Sequence, residues 1–294
     1  MLMKASGRNI VALLVAAALG SGATPIFASA QTGAGRARSK PVAPAGATPI
    51  GLPEGMMAPK APRIPTSFDE LFAERDARAL DALAYLRCLK TTLRAIQTGV
   101  LGQVPRAWLL TCVEQEREWR GVFGELTDEA PGIRVHRQFA LRGSGVVVSD
   151  PIDTARVNGV ARALLRGLNA PLPGNGKYEF LPVPLPQATF IEVWFLPVPG
   201  KPTMAIVGGD SLIQMSSDGG RELGHSRSTS PIRTLSVSPG SGYTLASIEE
   251  RIPLLSELML AHMALSLAPD VRVRTNQYES QFTRGTTTVK HVRR

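Results

Sequence analysis

Apolar residues recur at steps of three and four through Phe68, Phe72, Ala79, Ala82, Leu86, Leu89, Leu93, Ile96 and Val100, with Arg75 as the interruption. That period is helical. Ser67 and Glu70 have the spacing of a capping box at its start, and Asp69 and Glu70 suit the positive end of the helix dipole. Gly99 and Gly102 break the pattern, and Pro105 fits the first turn of a second helix. That helix is predicted to run through Trp108, Leu109, Cys112 and Val113, turn charged over 114–120, and stop near Gly124. Residues 67–124 therefore read as a helical hairpin. Cys88 and Cys112 stand at equal separations from Val100, so in such a hairpin both thiols lie at one height. Cys88 shares its face with Ala77, Asp81, Ala84, Thr92 and Ala95, mostly small residues that permit the close approach a disulfide needs.

Beyond the hairpin the period changes. Ile133, Val135, residues 138–141 and residues 146–148 read as strands, with Gly143-Ser144-Gly145 as a turn. Asp150-Pro151 opens a helix to about Leu168, its apolar face formed by Ile152, Ala155, Val160, Ala163, Leu164 and Leu168. Prolines alternate through 181–186, which permits at most an edge strand. Residues 188–196 and 203–207 are strands; 211–216 and 221–225 flank Asp218-Gly219, a hairpin signal; and 232–237 alternates. Residues 239–244 read as loop. Pro253 opens a last helix, apolar nearly all round, and strands follow at 271–275, 278–283 and 286–292, with a turn at Gly285. The predicted class is α+β: a disulfide-linked helical hairpin, then an antiparallel meander with two further helices over 125–294.

The first 66 residues are of another kind. Lys4 and Arg8 precede an apolar run over 10–19, and Ala28-Ser29-Ala30 offers small residues for cleavage, the pattern of a secretory signal in 1–30. Residues 31–66 carry seven prolines among Gly and Ala, and read as a disordered linker. No later stretch is long and apolar enough to be a transmembrane helix. Periplasmic or secreted location is expected, an oxidising setting in which Cys88 and Cys112 pair.

The formal charge of +9 belongs to the ends. The linker holds five bases against Glu54, and the last 24 residues hold Arg272, Arg274, Arg284, Lys290, Arg293 and Arg294 against Glu279. Residues 67–270 contain 20 bases and 22 acids. This distribution argues against a nucleic-acid partner. It allows an envelope protein, or an anionic envelope polymer, to be met through the basic linker and C-terminal tail.

Gly209-Asp210-Ser211-Leu212 resembles the signature of the SGNH hydrolases, secreted esterases and lipases. The resemblance covers four residues and implies Ser211 as nucleophile after a strand. The family draws its base from a C-terminal D-x-x-H, which this chain lacks, and only 82 residues follow Leu212. His225, His262 and His291 are the histidines available downstream. There is no G-x-S-x-G elbow, Walker A motif, G-x-G-x-x-G or H-E-x-x-H, and four widely spaced histidines give no metal pattern, so no cofactor or metal is expected. The leading expectation is a non-catalytic binding or assembly factor of the cell envelope. The alternatives are a serine esterase using Ser211, and a secreted factor that binds a host or competitor protein.

Overall fold

The computed structural model describes residues 67–97, 108–116, 118–127, 132–142, 145–148, 154–168, 179–198, 204–236, 243–247, 251–286 and 289–294. The expected signal segment and linker lie outside them, as do Gly99, Gly102, Pro105 and Asp150-Pro151.

Helix α1 spans Phe68–Gln97. Its capping box is formed: Ser67 Oγ accepts from the Glu70 amide at 3.2 Å, and Glu70 Oε2 accepts from the Ser67 amide at 3.4 Å. The described residues of the expected second helix are strands instead. Trp108–Gln115 (β1) and Glu118–Thr127 (β2) pair antiparallel, with Glu116 at positive φ between them. The cause is burial on both faces. Leu110 and Cys112 point into one core cluster, Leu109 and Val113 into another. A strand covered on both sides loses its alternation and cannot be told from a buried helix by period. The charges over 114–120 are thus not a helix face; Arg120 lies 3.9 Å from Glu118 along β2.

The disulfide stands: Cys88 and Cys112 are bonded, with their Cα atoms 6.3 Å apart. It joins helix to strand. The small face read around Cys88 makes this contact, since Cys88 and Thr92 are fully buried. Opposite them, Gly121 on β2 leaves the room: a Cβ there would lie 2.2 Å from Thr92 Oγ1.

Strands β3 (Gly132–Arg142) and β4 (Gly145–Val148) complete a sheet of order β1-β2-β3-β4. Helix α2 (Thr154–Leu168) follows, burying Val157, Val160, Ala161, Ala163 and Leu164, while Ala155 faces solvent. A second sheet has the order β5-β6-β8-β9, from Glu179–Pro186, Phe190–Val198, Ser211–Ser216 and Glu222–Arg227. The proline-bearing β5 is at its edge, where missing amide donors cost no ladder bonds. Met204–Val207 (β7) leaves this sheet to pair with Arg233–Ser236 (β10).

The last sheet has the order β11-β12-β13-β14, from Tyr243–Ser247, Asp270–Thr275, Tyr278–Thr283 and Lys290–Arg293. Strand β11, partly read as loop, runs parallel to β12. Helix α3 (Leu255–Ala264) is the crossover that a parallel pair requires. The meander is therefore not wholly antiparallel.

The layers follow from alternate residues. On β6, Trp194 and Leu196 join the cluster that holds α1, α3 and the last sheet; Val193 and Phe195 join the one built on α2. The first two sheets are thus covered on one face by α1 and on the other by α2. Each fully buried large apolar side chain contributes about 1.5–3 kcal/mol relative to exposure. Among the described residues, no helix is long and apolar enough to cross a membrane.

Candidate functional site

The segment after β7 is shaped by two glycines. Gly208 and Gly209 have φ of 91° and 68°, where other residues are strained. A Cβ on Gly208 would lie 2.2 Å from the Pro231 carbonyl oxygen. The segment is tied to the chain beside it: Gly209 N donates to Ser230 O at 3.1 Å, and Ser228 N donates to Asp210 O at 2.8 Å.

These turns drive Asp210 inward and seat Ser211 at the head of β8. Asp210 reaches the start of α3, 46 residues on in sequence. Its Oδ2 accepts from the Ser256 amide at 2.8 Å, and its Oδ1 from the Ser256 hydroxyl at 2.6 Å. Ser256 Oγ in turn accepts from the Gly208 amide at 3.1 Å. Asp210 is thus a remote cap for the helix, its carboxyl oxygens set at the positive end of the dipole. Burial outweighs the Ser256 hydrogen bonds and the charge of Arg75, so its pKa is raised above the ordinary carboxyl value. Glu257 completes this end: its Oε2 accepts from the Leu254 amide at 3.0 Å, and its Oε1 holds Arg233 at 2.8 Å.

Ser211 and His225 do come together. Ser211 Oγ lies 3.2 Å from His225 Nε2 and 3.4 Å from the Ser226 carbonyl oxygen. The contact follows from register: His225 is opposite Ile213, so Ser211 and His225 are diagonal neighbours on one face of the β8–β9 ladder. A hydrolytic nucleophile needs more than this. Its hydroxyl must be reachable, its base must be oriented, and donors must await the oxyanion. Ser211 is 2% exposed and lies within the β-ladder, opposite Phe195 and Arg227. Among the described residues no carboxylate contacts the His225 ring, and the neighbouring Asp210 is engaged by Ser256.

The other two histidines stand elsewhere, at the junction of α1, α3 and the last sheet. His262 Nε2 lies 2.7 Å from Asp76 Oδ1, linking α3 to α1. His291 Nδ1 lies 2.9 Å from Ser280 Oγ, directly across the β13–β14 ladder. Neither reaches Ser211. Among the described residues, no group of three or more His, Cys, Asp or Glu side chains could hold a metal ion.

A polar cluster that the sequence did not signal lies between α1 and the second sheet. Glu192 on β6 is 6% exposed. Its Oε2 accepts from Arg78 Nε and from Trp194 Nε1, each at 3.0 Å. Arg75 places its guanidinium carbon 5.0 Å from the centre of the Trp194 ring. The one break in the apolar register of α1 is therefore a cation–π contact beside a buried acid. Pairing and hydrogen bonding make burial of Glu192 tolerable. The cluster is a clamp between layers. Comparison with family models, with curated proteins and with solved structures finds no match to this chain.

Proposed function

We propose that the chain is an exported, non-catalytic binding or assembly factor of the cell envelope. The observation that carries this reading is the employment of the Gly-Asp-Ser-Leu segment. Asp210 caps α3, and the Ser211 hydroxyl is enclosed between two strands. The one hydrolase-like motif is thereby used as a structural joint. Export is supported by the basic and apolar pattern of residues 1–30 and by the Cys88–Cys112 bond, which persists in an oxidising compartment. The partner is an envelope protein or an anionic envelope polymer, met through the basic residues of 31–66 and of the C-terminal region. The test is capture from envelope extracts by the mature, oxidised chain. One envelope component should be retained, and it should be lost when the basic residues of 31–66 and the exposed C-terminal ones are changed to Gln. Retention of nothing by the oxidised chain contradicts the reading.

A second reading rests on the 3.2 Å Ser211–His225 contact: a serine esterase whose base is held on an edge strand. It requires β9 to move far enough for substrate to reach Ser211. Hydrolysis of short acyl esters, lost in both Ser211→Ala and His225→Gln, would establish it.

A further inference from the structure

Among the described residues, strand β14 pairs only with β13, and no strand pairs with its other edge. Its outward residues, Lys290 and Val292, bury little, Val292 being 61% exposed. Val289 packs against the core at its start and the Arg294 amide donates to the Gln277 carbonyl at 2.8 Å at its end; between them the strand is held to α1 by His291. That ring stands edge-on to Phe72 at 4.3 Å and to Phe68 at 5.3 Å, both on α1, and its Nδ1 meets the buried Ser280 hydroxyl at 2.9 Å. Phe68 stacks in turn on Tyr278 at 3.7 Å. One imidazole thus plugs an aromatic pocket made by the first helix and the penultimate strand.

We propose that β14 is an acid-released latch: protonation of His291 frees the strand from β13. The groups facing the ring come from each element around it. Helix α1 brings Asp69 and Asp76, β13 brings Tyr278 and Ser280, and α3 brings His262, which is engaged with Asp76. Burial among the rings dominates and lowers the His291 pKa below its ordinary 6.5; the two aspartates oppose that without outweighing it. A neutral imidazole fits an apolar pocket, whereas an imidazolium loses its hydration there. Protonation also adds a donor at whichever ring nitrogen was the acceptor. His262 is placed differently, its Nε2 bonded to Asp76 at 2.7 Å between α3 and α1. Acid therefore loosens the strand at His291.

Hydrogen exchange on the mature full chain, disulfide intact, tests this at pH 7.5 and pH 5.0 after correction for intrinsic exchange. Amides of residues 290–293 and their partners in 278–281 should exchange several-fold faster in acid, while those of β8 keep their protection. His291→Phe should hold the strand at both pH values. His291→Gln, which cannot titrate, is the second variant should the first fail to fold, and it should give equal exchange at both. His262→Gln should retain the acid response. Equal protection of the wild type at both pH values overturns the latch, as does an acid response that persists in the His291 variants.

Discussion

Two serine–histidine pairs are in contact among the described residues. Ser211 and His225 touch at 3.2 Å, Ser280 and His291 at 2.9 Å. Both serines are buried, at 2% and 1% exposure, and both pairs span adjacent antiparallel strands. Each serine follows an acidic residue, Asp210 or Glu279. Only the first pair carries a hydrolase-like motif, yet the second has the shorter contact. Residues on one face of adjacent strands, directly opposite as Ser280 and His291 or diagonal as Ser211 and His225, come within side-chain reach because of strand spacing. Such a distance is therefore no sign of catalysis without access and an oriented base. The pairs differ in what surrounds them. Asp210 is buried and bound to a helix end, whereas Glu279 lies on an outer face, bonded to Arg274 at 2.6 Å.

Changing the preceding acids should separate the two regions most. Asp210→Ala removes the cap of α3 and leaves the Ser256 amide without its acceptor, at a cost of about 2–4 kcal/mol. Glu279→Ala breaks a partly exposed ion pair and should cost about 0–1 kcal/mol. Urea unfolding followed by far-UV circular dichroism measures both; equal losses would show that Asp210 is no cap.

Acid should separate them next. The His291 pKa is lowered by burial, so its contribution to stability is complete above its ordinary 6.5 and is lost as pH falls through the lower folded value. Part of the stability decline below pH 6.5 should vanish in His291→Gln and persist in His225→Gln. Urea midpoints at pH 7.5, 6.0 and 5.0 read the difference, and the reverse pattern would exchange the roles of the two histidines.

The smallest difference between the pairs should come from removing either hydroxyl. Ser211→Ala and Ser280→Ala each delete one modest hydrogen bond, worth about 0.5–1.5 kcal/mol, and should resemble one another. A Ser211→Ala loss several kcal/mol greater would mark the first pair as special.

Helix α1 was legible because its cap, its period and its apolar face all agree. The β8–β9 hairpin was legible because Gly219 takes φ of 66° beside an Asp218 that accepts from the Gly220 amide at 3.0 Å. Prolines placed β5 at an edge. Strand β1 was misread because helices cover both its faces, erasing the alternation that marks a strand. Strand β11 was missed in part because its partner is parallel and lies beyond a helix. The chemistry around Ser211 was half legible. The segment was recognisable, but the use of Asp210 depends on Ser256, and the role of Arg75 on Trp194, neither near in sequence. Long-range pairing of this kind leaves no local pattern.

The central claim is that Ser211 is built into the structure rather than offered to a substrate. Incubation of the mature, oxidised chain with a fluorophosphonate, followed by intact-mass and peptide analysis, tests it most directly. The account predicts no adduct on Ser211 in the folded protein. A stoichiometric adduct there, lost in His225→Gln, would contradict it and establish the esterase.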